Sequence, residues 1–163
     1  MMSQPAGAAL LAAFVSLPAI AVASTATGDL AVGVTIVSTC TVGTGGALAF
    51  GNAGLLATTL TATGSFTVIC ANSTPYSIGL NQGANGGSVA TRQMKGAATG
   101  ALINYALYQD AGHTLNWGNT AGFWEARTGT GAVDTVPVYG VVPAQATPAA
   151  DSYRDAVTVT VSY

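Results

Sequence analysis

The sequence closes on Asp155-Ala156-Val157-Thr158-Val159-Thr160-Val161-Ser162-Tyr163, or DAVTVTVSY. Val157, Val159, Val161 and Tyr163 alternate with Thr158, Thr160 and Ser162, the period-2 signature of a strand with one face in a core and one in solvent. The alternation predicts that the three valines and Tyr163 point inward. The strand runs to the last residue with no turn after it, so no later segment is expected to pair with its far edge. A partner for that edge has to be sought elsewhere.

Working outward, the same alternation recurs in short bursts. LAVGVTIVSTC sets Leu30, Val32, Val34 and Ile36 against Ala31, Gly33 and Thr35, and GALAFGN is a short apolar run closed by a turn. GSFTVIC puts Phe66, Val68 and Cys70 on one face, and YSIGL does the same with Tyr76, Ile78 and Leu80 before the turn formers NQGANGGS. ALINYALYQD has Leu102, Tyr105 and Leu107 near helical spacing, but Ile103, Tyr105 and Leu107 also alternate. The segment is short and its neighbours are strands, so it is read as a strand. TVPVYGVVP is another, with Pro137 pointing to an edge or a bulge. Six or seven short strands between Gly-, Asn- and Pro-bearing turns predict one antiparallel sandwich domain.

Composition agrees. Half of the 163 residues are hydrophobic and only 6% are charged, against about 25% in an average globular chain. The surface must therefore be built from Thr, Ser, Asn, Gln and Gly, which suits β-structure. Arg92, Lys95, Arg127 and Arg154 are the only basic residues. They do not cluster and cannot supply the dense phosphate contacts of a nucleic-acid binder. A net charge of −2 is too small to point to any charged partner.

The first 23 residues differ from the rest. AALLAAFVSLPAIAVA is an apolar run broken by Pro18, and Ala21-Val22-Ala23 has the small-x-small pattern of a signal-peptidase site. Although MMSQPAG contains no Lys or Arg, residues 1–23 are read as a secretory signal, with Ser24 as the mature N-terminus and no transmembrane anchor after cleavage. Behind such a leader the only two cysteines, Cys40 and Cys70, are expected to form a disulfide. Closing a loop of that size stabilises the fold by roughly 3.5 kcal/mol.

Chemistry is sparse. His113 is the only histidine, so neither a His-based triad nor a His-rich metal site is expected. Asp29, Asp110, Glu125, Asp134, Asp151 and Asp155 sit singly, and no spacing among them demands a glycosidase pair. Asp151 and Asp155 read as a turn and a strand-entry residue. The GTGG at Gly43–Gly46 lacks the Lys-Ser/Thr of a phosphate loop, and Asn72-Ser73-Thr74 matches a glycosylation acceptor only formally. Trp117, Phe123 and Trp124 are the densest aromatics, read as core or end-plug residues in preference to a sugar-stacking platform. No catalytic residue, metal or cofactor is expected, and the chain is read as a non-enzyme.

The two ends together offer a partner for the last strand. Residues 24–34 are extended and strand-prone, with no turn returning them to their own sheet. If Leu30, Val32, Val34 and Ile36 entered the groove of a neighbouring copy, each subunit would complete the next by strand addition. Because donor and acceptor surfaces differ, such a contact propagates head to tail.

TGDLAVGVTIVSTCTVG, LAFGN, GSFTVIC, YSIGLNQG, RQM, INYALYQDAG, WG, VPVYGVVPAQ and YRDAVTVTVSY also occur here in this order. The chain so resembles the spore coat protein U domain family and, within it, major subunits of archaic (Csu-type) chaperone–usher pili. That resemblance implies an all-β, incomplete immunoglobulin-like antiparallel β-sandwich completed by donor-strand exchange. It implies a signal peptide at 1–23, a donor segment at 24–36, a pilin domain at 37–163 and a Cys40–Cys70 bridge. Val157, Val159, Val161 and Tyr163 would form the acceptor strand, also contacted by a periplasmic chaperone. An outer-membrane usher would then assemble a homopolymer, a fimbrium on the cell surface serving adhesion and biofilm formation. Two other readings stand beside it: a self-complete secreted sandwich binding carbohydrate through Trp117, Phe123 and Trp124, and a spore-coat or protective shell component. The sequence departs from the family pattern at Asp151, where Gly is frequent, and in the longer, more aromatic WGNTAGFWEARTG.

Overall fold

The structure, a computed structural model, describes residues 22–43 and 45–163. The expected leader lies, but for its last two residues, outside them. The chain divides into two units, residues 1–34 and 35–163. In the first, residues 22–34 form neither strand nor helix and are exposed throughout.

The second unit is built on one long antiparallel pair. Leu60–Cys70 (β2) runs beside Val133–Val142 (β7), in register from Leu60↔Val142 to Ile69↔Val133. Phe66, Val68, Val136, Val138 and Val142 share its buried face, while Thr61, Thr63 and Thr67 point away from the core. Cys40–Val42 (β1) flanks β2, and its first rung is the disulfide pair Cys40↔Cys70. Beyond β7 lie Leu102–Tyr108 (β5), Arg92–Gly96 (β4) and Tyr153–Arg154 (β8), so the large sheet has the order β1-β2-β7-β5-β4-β8. The smaller sheet is Glu125–Thr128 (β6), Pro75–Leu80 (β3) and Val159–Ser162 (β9), in that order, with every pairing antiparallel. Among the described residues no helix is long and apolar enough to cross a membrane. The architecture is all-β and immunoglobulin-like.

Several expectations are refined. ALINYALYQD is a strand, with Ile103, Tyr105 and Leu107 buried. Pro137 sits opposite Ser65 inside the large sheet, but β5 pairs with β7 only over Val141–Tyr139. The proline therefore occupies a stretch where no second neighbour needs its missing N–H. The strand read at LAVGVTIVSTC is absent before Cys40. Alternation prescribes two faces, but a strand also needs a ladder partner, and residues 30–38 have none among the described residues. Arg92–Gly96, Glu125–Thr128 and Tyr153–Arg154 show no apolar alternation in the sequence, being short and partly charged. GALAFGN is no strand either. Its Leu48 and Phe50 lie half-buried on the core, over Gly140, where an added Cβ would come within 2.7 Å of Leu48 Cδ2 and 2.8 Å of Phe50 Cζ.

Candidate functional site

The C-terminal strand is placed by polar residues that alternation could not reveal. Asn81, directly after β3, accepts at Oδ1 from the N–H groups of Gly83 (3.0 Å) and Thr158 (2.9 Å), and its own N–H donates to Thr158 O (3.1 Å). Asp155 accepts from Ala84 N–H (2.8 Å), the Asn85 amide (2.9 Å) and the Tyr105 hydroxyl (2.6 Å). Burial first, and then this bond to Asp155, push the Tyr105 phenol up. Residues 155–158 are thus tied to the loop after β3 and to β5 before β9 begins.

Arg92 supports the same corner and is fully buried. Its Nε donates to Asn81 O (2.8 Å), Nη1 to Val89 O (2.6 Å), and Nη2 to both Leu80 O (3.0 Å) and Trp117 O (2.6 Å). Burial lowers its pKa, and Tyr105 and Asp155 oppose that; a guanidinium stays charged in proteins all the same. The fork therefore joins the end of β3, the turn before β4 and the segment after β5 through backbone carbonyls. The order RQM was the only sequence hint.

Fixed in this way, β9 pairs with β3 from Ser77↔Ser162 to Leu80↔Val159. Its other side has no strand among the described residues. Val157, Val159 and Val161 pack on the core only half-buried, together with Leu48 and Phe50. Tyr163, expected to share their inward face, is 62% exposed because it lies past the last rung. Leu30, Val32, Val34 and Ile36 are 84–88% exposed. The chain therefore carries both an edge with half-covered apolar residues and an alternating apolar segment with no cover.

The acids are less isolated than their spacing implied. Arg127 bonds Glu125 Oε1 (2.7 Å) and Asp134 Oδ2 (2.8 Å), and the Tyr76 hydroxyl donates to the same Asp134 oxygen (2.8 Å). Asp134 is held below the usual carboxylate range: burial raises it, but the bonds from Tyr76 and Arg127 outweigh that. Burial and the Asp134 contact push Tyr76 up to about 12. Two carboxylates sharing one guanidinium form an ion-pair node. Among the described residues no three His, Cys, Asp or Glu side chains converge as metal ligands. His113 sits in a loop with φ 55°, its ring edge-on to Tyr108 at 5.4 Å.

The aromatic trio is divided. Trp117 is wholly buried and its indole N–H donates to Ile78 O (3.0 Å), whereas Phe123 and Trp124 are 46% and 44% exposed. A sugar platform made of all three is therefore ruled out by the burial of Trp117.

An antiparallel immunoglobulin-like sandwich with an open C-terminal edge and an uncovered apolar segment is the class these features define. Residues 26–160 match the Spore Coat Protein U domain, and the chain belongs to that family. It is 34% identical to Protein U of Myxococcus xanthus over 155 residues, covering 86% of this chain and 87% of that protein. A solved structure similar in fold is the CsuC–CsuE chaperone–tip adhesion subunit pre-assembly complex from archaic chaperone–usher Csu pili of Acinetobacter baumannii. The TM-score is 0.57 at 22% identity, over 79% of this chain and 40% of that one, so the chain spans less than half the length of that relative.

Proposed function

We propose that this protein is a structural pilin: a subunit that donates residues 24–36 to a neighbour and accepts the neighbour's segment beside β9. The observation that carries this reading is the pairing of opposites in one chain. Leu30, Val32, Val34 and Ile36 are at least 84% exposed, while β9 offers a ladder edge with no partner among the described residues, above half-buried valines. An exposed edge of this kind aggregates unless something covers it. A strand added there satisfies its backbone groups and buries apolar side chains at once. A periplasmic chaperone would cover the edge during export through the periplasm, and an outer-membrane usher would exchange that cover for the next subunit. The product would be a head-to-tail fimbrium at the cell surface, serving adhesion and biofilm formation. Family membership and the Csu-like fold support this reading.

Val32→Asp tests it. Leu30, Val32 and Val34 would together contribute roughly 5–9 kcal/mol of gross burial in the groove, and a charge at the middle position removes several of those. The variant is expected to be exported and to bind its chaperone, because Val32 is 88% exposed. It should fail to donate, yet still accept, and so shorten fibres when mixed with wild type. Stable, chaperone-free monomers from wild type, from Val32→Asp and from a deletion of residues 24–34 alike would overturn the reading.

A further inference from the structure

A small cleft lies on the outer face of the β6-β3-β9 sheet, on the side of β9 away from the core. It measures about 130 Å³ and is lined by Ser77, Gly79, Asn119, Trp124, Thr160 and Ser162. Ser77 and Gly79 come from β3, and Thr160 and Ser162 are their direct partners on β9. Trp124 stands at the rim, 44% exposed. No lining side chain is charged. The hydroxyls of Ser77, Thr160 and Ser162 and the Asn119 amide take no part in the side-chain bonds that occupy Asn81, Asn85 and Asp155.

The loop that brings Trp124 here is pre-formed. Leu80 N–H donates to Gly118 O (3.1 Å), Gly118 N–H to Phe123 O (2.8 Å) and Phe123 N–H to Thr120 O (3.0 Å). The Gln109 amide adds a bond to Phe123 O (3.0 Å). Gly79 lets this loop lie directly on the sheet, since a Cβ there would come within 3.0 Å of Asn119 Cα.

We propose that this cleft is a binding site for a neutral saccharide, holding one face of a single pyranose ring. The indole supplies an apolar plane for the ring's C–H face. The amide and three hydroxyls supply donors and acceptors for sugar hydroxyls. The absence of lining charge favours uncharged sugars over sialylated or sulfated ones. The volume, small beside the roughly 300 Å³ of ordinary ligand sites, limits recognition to one ring and a weak individual affinity. Thr160 and Ser162 face away from the core, so the site does not depend on polymerisation; in a fibre it would recur on every subunit and gain avidity.

The experiment titrates the exported protein, in whatever assembly state it adopts, with neutral mono- to tetrasaccharides and with sialyllactose as a charged control. Calorimetry gives the affinity and tryptophan emission the location, because Trp117 is sealed in the core and Trp124 is not. Saturable binding of a neutral sugar with an emission change is expected, weakened about tenfold by Trp124→Ala or Asn119→Ala. Gly79→Ala should weaken it too, by pushing the Asn119–Trp124 loop off the sheet without changing any polar or aromatic lining side chain. No saturable binding of any neutral sugar, equal affinity in Trp124→Ala, preference for sialyllactose, or binding to detergent micelles alone would each overturn the proposal. Fibre assembly is read separately on gels, so failure here is distinguishable from failure of the pilin reading.

Discussion

Arg92 is a buried charge solvated by backbone carbonyls, with no carboxylate hydrogen-bonded to it. Arg92→Met keeps an apolar stem of similar length but strands the carbonyls of Leu80, Asn81, Val89 and Trp117. Each buried unpaired acceptor costs about 1–3 kcal/mol. Some of the four will find water, so a loss of about 3–5 kcal/mol is expected in urea unfolding. Arg92→Lys should recover only part of it, because a single ammonium cannot span the fork. Asp151 shows the opposite, exposed use of a charge. It accepts from Ala98 N–H (2.9 Å), Thr99 N–H (2.8 Å), the Thr99 hydroxyl (2.8 Å) and Ser152 N–H (2.7 Å). Led by the Thr99 backbone bond, these hold its pKa down to about 2. A depressed folded-state pKa means stability that is present above the unfolded value, near 4, and lost as pH falls towards 2. Asp151→Asn should flatten the pH dependence of Tm across that window. An unchanged acid limb would show that the turn does not need the carboxylate.

At the scale of elements, β9 and the segment before β1 are alike in sequence and opposite in circumstance. Both alternate apolar with small or hydroxyl residues, but β9 has β3 beside it and Asn81 and Asp155 anchoring its entry. Val159→Asp places a charge at a half-buried position opposite Leu80. It should cost about 2 kcal/mol or more in urea unfolding and sharply reduce exported yield. Thr158→Asp, one residue away on the exposed face, should stay within about 0.5 kcal/mol of wild type. Equal yields for the two variants would show that the valine face is not core. The disulfide acts at this scale as well. It ties three-residue β1, whose one strand neighbour among the described residues is β2, to the end of the longest strand pair.

For the whole molecule, a chain with 6% charged residues and a net charge of −2 has little electrostatic repulsion to oppose self-association. Strand exchange would be held by backbone pairing and apolar burial, neither of which salt screens. The exported protein is therefore expected to run as a ladder of SDS-resistant species that collapses to monomer on heating, with assembly insensitive to added salt. A single monomer band without heating, or assembly lost in high salt, would contradict that mode of association.

Much of this was legible in the primary sequence. Val159 and Val161, Ile103, Tyr105 and Leu107, and Phe66, Val68 and Cys70 announce strands because burial on one face imposes a two-residue period that neighbouring residues display together. The same locality explains what stayed hidden. Arg92 bonds a carbonyl 25 positions away at Trp117, Asp155 a hydroxyl 50 away at Tyr105, and Gln145 the backbone of Asn104, 41 away. Nothing in a local period records such pairs. Trp117 and Trp124 stand seven residues apart in one aromatic segment, yet one is sealed in the core and the other stands at a rim. Alternation determined which residues are able to form strands. Which of them have a neighbour, and which edge is left open, was decided only by tertiary packing, because a ladder needs a second backbone at hydrogen-bonding distance and a sequence period specifies only faces.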